Sequence, residues 1–135
     1  MHWITNQIAT AAIIEGFPHK FFSRHEFIFL TDLNDGWNPP VAICLRLSRA
    51  LEALRNNRKV VFVCRAEISR SNALAATLIA YQENIDWDDA YSQVKKKAPH
   101  AQVEMNLRDA CIQALDLFRR QTKVPQDNVN WKDQR

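Results

Sequence analysis

The chain has 135 residues, of which 47% are hydrophobic. This length and composition allow one ordinary globular domain and exclude general disorder. Its net charge of +3 is small and its basic residues are scattered, so no nucleic-acid partner is indicated, although anionic ligands are compatible with it.

The first half of the chain predicts strands early and one long helix. Residues 26–30 are rich in aromatic and β-branched side chains, which favour a strand. T-D-L-N-D-G-W-N-P-P (31–40) is a loop by its Asn, Asp, Gly and paired prolines, and the prolines suit the first turn of the next helix. The predicted order is strand, helical turn, loop, strand, loop and helix, at residues 3–9, 11–14, 19–25, 26–30, 31–40 and 41–54.

The second half predicts one buried strand and then helices. Val60–Val63 is a short continuous apolar run, typical of a central strand covered on both faces. Helical spacing of apolar residues predicts three further helices, at residues 71–81, 87–97 and 103–119. We therefore expect a single α/β domain over residues 1–120, with a central, mostly parallel sheet flanked by helices, and a flexible polar tail over residues 121–135.

The cysteines and the apolar runs predict where the protein is located and whether it holds a metal or a cofactor. Cys44, Cys64 and Cys111 lack metal-ligand spacing, and their odd number argues against a disulfide framework. Cys44 and Cys111 lie in apolar helical patterns, which predicts small buried core side chains. No apolar run reaches a membrane span of roughly 18 residues, and no signal-peptide pattern is present. We expect a soluble cytoplasmic protein with no metal, no cofactor and no membrane partner.

The loop between the buried strand and the next helix combines a thiol with cationic and hydroxyl side chains. A helix N-terminus presents unpaired backbone N–H groups and a positive dipole end, which together bind anions. Arg70 adds a planar charged fork suited to two phosphate oxygens. A thiol in such positive surroundings, here Cys64, is readily ionised and nucleophilic. Ser71, and Ser69 as an alternative, can donate a hydroxyl to the sulfur and stabilise it as a leaving group.

These residues carry a family resemblance. C-R-A-E-I-S-R-S (64–71) resembles the signature loop of the cysteine-dependent protein tyrosine phosphatases, and its S-R-S ending before an Ala/Leu-rich helix is similar to the dual-specificity branch. The opening M-H-W-I-T-N-Q-I-A resembles the first strand of small microbial members. D-G-W-N-P-P (35–40) resembles their general-acid loop, and residues 84–99 resemble the helix that follows their loop helix. The resemblance extends over most of the chain.

The resemblance implies a phosphomonoester hydrolase, specifically a protein tyrosine or dual-specificity phosphatase with a phosphocysteine intermediate. Cys64 would attack phosphorus, the arginine and the loop amides would bind the oxyanion, and an aspartate would act as general acid and then as base. The implied substrate is a phosphorylated protein or a small phosphomonoester, and the oligomeric state is not predicted. The implied phosphate-binding residues are Arg65, Ala66, Glu67, Ile68, Ser69 and Arg70.

Two aspartates are candidates for the general acid. Asp35 begins the D-G-x-x-P-P stretch, in which Gly36 would give the loop freedom to close. Asp32 lies 32 residues before Cys64, a spacing that many dual-specificity phosphatases use. We favour Asp35 on the local pattern and keep Asp32 as the alternative.

Two residues depart from the family pattern. Val63 stands where a histidine usually precedes the nucleophile, and Glu67 stands where a glycine lets the backbone approach the phosphate closely. A glutamate adds a Cβ and a negative charge beside a site for a dianion, so we expect weak-to-moderate activity. The alternatives are a phospho-binding module that no longer hydrolyses and a rhodanese-type sulfurtransferase, whose loop usually has four residues before its arginine where this one has five.

Overall fold

In the computed structural model, the described residues are 1–13, 24–66 and 68–129, with side chains described up to residue 121 in the last helix. These residues form a four-stranded sheet and four helices. The strands are β1 (His2–Trp3), β2 (Ile8–Ala12), β3 (His25–Phe29) and β4 (Lys59–Cys64), and the helices are α1 (Pro40–Arg55), α2 (Arg70–Glu83), α3 (Trp87–Lys97) and α4 (Met105–Val129).

The sheet has the strand order β1-β2-β4-β3. β4 runs parallel to both of its neighbours, and β1 pairs antiparallel with β2. Because successive side chains of a strand point to opposite faces, Val60, Phe62 and Cys64 join the main core, while Val61 and Val63 join a smaller apolar cluster with β2 and β3. The predicted α/β class, the mostly parallel sheet and its buried central strand are confirmed.

The N-terminal region differs from the prediction of one strand over residues 3–9. The structure divides this stretch into β1 and β2, with a turn between them at Thr5. The hydroxyl oxygen of Thr5 accepts the backbone N–H of Gln7 at 3.1 Å and that of Ile8 at 3.0 Å. A threonine that satisfies local backbone donors favours a tight turn over a continuous strand.

The helical turn predicted at residues 11–14 is wrong at its first two residues, whereas Ile13 has a 3₁₀ conformation. Ala11 and Ala12 continue β2, in register with Val63 and Cys64 of β4. Pairing with the buried central strand overrides the high helix propensity of alanine. Residue 14 and most of the loop predicted at residues 19–25 lie outside the described residues, and His25 already belongs to β3.

The helices agree more closely with the sequence. α1 begins at Pro40, with Pro39 as its N-cap, and α3 has the predicted bounds. α4 continues to Val129 instead of ending at residue 119, and an i,i+4 ion pair between Asp116 and Arg120 supports it beyond that point. Among the residues that the structure describes, no helix is both long and apolar enough to cross a lipid bilayer.

α2 is the central helix of the molecule. It packs on β2 and β4 and also contacts the other three helices, so its residues 70–80 are all buried. Alanines at positions 73, 75, 76 and 80 let these neighbours approach closely. The first turn of this helix is therefore held rigidly at the end of β4.

Candidate active site

The junction between β4 and α2 places the predicted nucleophile. Cys64 is the last residue of β4, paired in register with Ala12, and only 2% of it is exposed. After five intervening residues, α2 begins at Arg70. The strand-to-helix geometry expected from the sequence is present, and the thiol lies at the N-terminal end of the helix.

Ser71 contacts the sulfur in two ways. The thiol of Cys64 donates to Ser71 Oγ at 3.2 Å, and the backbone N–H of Ser71 donates to Sγ at 3.4 Å. Ser71 is fully buried, so both contacts are shielded from water. In the thiolate form the sulfur accepts hydrogen bonds from the amide and the hydroxyl, and both favour the negative charge.

Arg70 is bound to the loop that connects β3 to α1 (the β3–α1 loop, residues 30–39). Its Nη1 donates to the backbone carbonyls of Leu30 at 3.3 Å, Thr31 at 3.4 Å and Leu33 at 2.8 Å. Its Nε lies 3.0 Å from Oδ1 of Asp35, an ion pair in which the N–H is not aligned for a hydrogen bond. The guanidinium group thus joins the start of α2 to the loop that carries both candidate acids.

The two candidate acids have different partners. Asp35 is directed to Arg70, and 70% of its side chain is exposed. Asp32 is also exposed, at 66%, but its carboxylate accepts a hydrogen bond from Arg46 of α1. That hydrogen bond and the charge of Arg46 lower the pKa of Asp32 below its ordinary value. The structure therefore pairs Asp35 with the guanidinium of Arg70 and Asp32 with Arg46 of α1.

The predicted phosphate-binding residues lie in the connection from β4 to α2 (the β4–α2 loop, residues 65–69). Arg65 and Ala66 are exposed, and Glu67 lies outside the described residues. Ile68 is exposed, and Ser69 is the half-buried N-cap of α2, although its side chain makes no capping hydrogen bond. The described part of this loop is therefore open to solvent at the end of β4.

The segment before α4 supports the β4–α2 loop, a role that the sequence did not reveal. The backbone N–H of Gln102 donates to the carbonyl of Ile68 at 2.9 Å, and Asn72 Nδ2 donates to the same carbonyl at 3.0 Å. The N–H of Glu104 donates to Ser69 Oγ at 3.4 Å. No motif in residues 102–104 signals these contacts, because two of them use only backbone donors.

Asn38 is a second residue that sequence reasoning missed. Its side chain is buried, and its Oδ1 accepts the backbone N–H of Asn34 at 2.8 Å. Its Nδ2 donates to the carbonyls of Asn34 at 2.8 Å and Gly36 at 3.1 Å. One amide thus closes the loop around Asp35. The only sequence signal was an asparagine before two prolines, which predicts a turn but not these bonds.

The other two cysteines belong to the core, as predicted. Cys44 donates its thiol to the carbonyl of Ala114 at 3.4 Å, and burial raises its pKa. Cys111 is fully buried, and burial raises its pKa to about 12. All three cysteines of the chain are unpaired. Within the described part of the chain, no group of three His, Cys, Asp or Glu side chains could hold a metal ion.

Comparison with known proteins gives matches by fold only. No protein-family model matches the sequence, and no curated protein matches it. A mouse protein described as a dual-specificity phosphatase, in complex with zinc tungstate, matches with a TM-score of 0.75 and 10% identity, over 90% of this chain and 89% of its own. Human DUSP28 matches with a TM-score of 0.76 and 9% identity, over 90% and 99% of the two chains.

A third solved structure extends the comparison. PTPMT1 in complex with PI(5)P matches with a TM-score of 0.63 and 15% identity, over 85% of this chain and 78% of its own. At such low identities the agreement concerns the backbone, and it confirms the resemblance seen in the sequence at the level of fold. The chain therefore has the α/β fold of the dual-specificity-type cysteine phosphatases.

Proposed function

We propose that the protein is a phosphomonoester hydrolase of the protein tyrosine or dual-specificity type that works through a phosphocysteine intermediate. The observation that carries this proposal is the hydrogen-bonded pair of Cys64 and Ser71 at a strand-to-helix junction, next to a buried arginine. The fold supports it, because the matching solved structures named above include phosphatases of this type. Its substrate is a phosphorylated protein or a small phosphomonoester.

In the first step, the thiolate of Cys64 attacks phosphorus in line with the leaving oxygen. The S–P bond forms as the P–O bond to the leaving group breaks, and Asp35 gives its proton to the departing oxygen. Arg70 stabilises the charge on the phosphoryl oxygens. Since the fold already binds its guanidinium before substrate arrives, no reorganisation is needed at that moment.

In the second step, water hydrolyses the phosphocysteine. Asp35, now ionised, takes a proton from the water as its oxygen bonds to phosphorus, and the electrons of the S–P bond return to sulfur. The hydroxyl and the amide of Ser71 then donate to the thiolate of Cys64 and stabilise it as the leaving group.

Asp35 suits the role of general acid better than Asp32. Asp32 is held as a carboxylate by Arg46, and its lowered pKa disfavours the protonated form that an acid needs. Asp35 pairs with Arg70, and a bound phosphate would compete for the same guanidinium. Substrate binding therefore weakens the pairing of Asp35 with Arg70 and frees its carboxyl group to reach the leaving oxygen.

A phospho-binding module without turnover is the second candidate, favoured by Val63 and Glu67 in the sequence. It predicts binding of a phosphopeptide or tungstate without release of phosphate, and Glu67→Gly should then create or greatly raise activity. We do not propose the sulfurtransferase, since the matching structures named above are phosphatases. A cytoplasmic location belongs to this proposal and rests on the three unpaired cysteines. The expectation of no nucleic-acid partner rests on the small net charge of +3, and that of no membrane partner on the lack of a long apolar run in the sequence.

The deciding experiment compares phosphate release from p-nitrophenyl phosphate by the wild type, Cys64→Ser and a matched control, Cys44→Ser. The serine at position 44 can still donate to the carbonyl that the thiol contacts. We expect release by the wild type and the control and none by Cys64→Ser. Equal release by wild type and Cys64→Ser would overturn the phosphatase. Release by none of them, with tungstate bound, would support the binding module.

A further inference from the structure

Glu104 lies between the two loops that form the candidate site. Its backbone N–H donates to Ser69 Oγ in the β4–α2 loop at 3.4 Å. On the other side, a methyl group added to the Cα of Gly36 in the β3–α1 loop would lie 3.4 Å from Glu104 Oε2. One residue thus binds the N-cap of the helix that carries Arg70 and lies beside the glycine that follows the candidate acid.

Hydrogen bonds hold the carboxylate of Glu104 in place beside Gly36. Its Oε2 accepts the backbone N–H groups of Asn106 at 3.0 Å and Leu107 at 3.2 Å, the second and third residues of α4. Its Oε1 accepts Asn106 Nδ2 at 3.2 Å. These bonds make Glu104 the N-cap of α4 and leave its carboxylate little freedom to move.

A glutamate is an unusual residue for this capping role. Asn, Asp, Ser and Thr are preferred N-caps because their short side chains reach the first helical amides directly. A cap alone therefore does not explain the extra methylene of Glu104. The longer side chain carries the carboxylate farther from its own backbone, to a position beside Gly36.

We propose that Glu104 is a positioning residue that holds the β3–α1 loop at a set distance from the β4–α2 loop, so that Asp35 meets the leaving oxygen. This inference rests on the proposed phosphatase function. Arg70 holds the β3–α1 loop at Asp35, and Glu104 borders it one residue later at Gly36. Withdrawal of the carboxylate from beside Gly36 would give the loop room to move and let the acid shift, and a displacement of about 1 Å can slow a reaction about 100-fold.

The test is Glu104→Asp, which keeps the charge and remains a preferred N-cap but withdraws the carboxylate from Gly36. We expect kcat for phenyl phosphate, a poor leaving group, to fall about tenfold while KM stays within about twofold. The loss should be smaller with p-nitrophenyl phosphate, whose leaving group needs less help from an acid. Glu104→Gln keeps the length of the side chain and one capping oxygen, and it should retain most of the wild-type rate.

The matched control is Glu52→Asp. Glu52 is an exposed glutamate of α1 that pairs with Arg55 of the same helix and accepts a hydrogen bond from Asn56. This control variant should have the same kcat as the wild type with both substrates. If kcat of Glu104→Asp equals that of the wild type with both substrates, or falls by the same factor with both, the positioning role is wrong.

Amide hydrogen exchange separates this inference from the proposed function. The N–H of Asn34 is bonded inside the β3–α1 loop, and exchange of residues 34–38 should be faster in Glu104→Asp but not in Glu52→Asp. If exchange is faster in Glu104→Asp and the wild type releases no phosphate, the phosphatase proposal is overturned and Glu104 remains the residue that orders this loop. Unchanged exchange would overturn the positioning role, whether or not the protein hydrolyses phosphate.

Discussion

Nε of Arg70 lies 3.0 Å from Oδ1 of Asp35, which joins the first residue of α2 to the β3–α1 loop. Arg70 is largely buried and its Nη1 donates to three carbonyls, whereas most of the Asp35 side chain is exposed. The arginine is therefore the fixed partner and the aspartate the one that can move. A phosphate bound at Arg70 would compete with Asp35 while the guanidinium stays in place.

The pair of variants Asp35→Asn and Asp32→Asn tests which aspartate is the acid. We expect Asp35→Asn to lower kcat for phenyl phosphate by about 100-fold or more, since general acid catalysis contributes roughly 10²–10⁴-fold. Asp32→Asn should stay within about threefold of the wild type, because the carboxylate of Asp32 is bound to Arg46, whereas Asp35 is the aspartate paired with Arg70. Steady-state kinetics at neutral pH measures both. A larger loss in Asp32→Asn would reverse the assignment.

Arg70→Lys tests whether the arginine supports the fold as well as the oxyanion. A single ammonium group cannot replace the planar fork that meets three carbonyls and a carboxylate. We expect the free energy of unfolding to fall by about 1–3 kcal/mol, because buried carbonyls lose their donors. Tungstate binding should weaken in the same variant.

Urea unfolding and a tungstate titration measure these two effects. Arg120→Lys, an exposed ion-pair residue on α4, is the matched control and should change the free energy of unfolding by less than about 0.5 kcal/mol. If both variants unfold at the same urea concentration as the wild type, the arginine has no structural role.

The sequence was sufficient where local pattern decides the structure. A continuous apolar run at residues 60–63, followed by a polar loop and an Ala/Leu-rich helix, indicated the strand-to-helix junction that places Cys64 and Ser71. Turn residues likewise located the loop that carries Asp35. Both predictions depend on neighbours within a few positions along the chain.

The sequence was insufficient where backbone groups join residues that are far apart along the chain. The sequence predicts a phosphate-binding role alone for Arg70, because the carbonyls of Leu30 and Leu33 that it binds leave no mark in the sequence. Gly36 and Glu104 are neighbours in space because α4 starts beside the β3–α1 loop. The hairpin of β1 and β2 was missed because β1 has only two residues, too few for a periodic pattern.

Asn38→Ala tests the amide that closes the β3–α1 loop. The substitution removes one acceptor and two donors, which leaves the N–H and carbonyl of Asn34 without their buried partner. We expect the free energy of unfolding to fall by about 1–2 kcal/mol and exchange of residues 34–38 to accelerate. Asn56→Ala, at the exposed end of α1, should cost less than about 0.5 kcal/mol. Equal effects of the two substitutions in urea would show that the amide bonds of Asn38 do not matter.

The ion pair of Asp32 and Arg46 predicts a small acid-sensitive contribution to stability. The pair lowers the pKa of Asp32 in the folded state, so its contribution is present above the unfolded pKa, about 4, and is lost as pH falls through the folded pKa. At pH about 7, Asp32→Asn should lower the free energy of unfolding by no more than about 1 kcal/mol, because the pair is mostly exposed. Urea unfolding at stepwise lower pH should show the two proteins converging below pH about 4, and converging also at about 1 M salt. A difference that persists in acid would mean that the charge of Asp32 does not stabilise the fold.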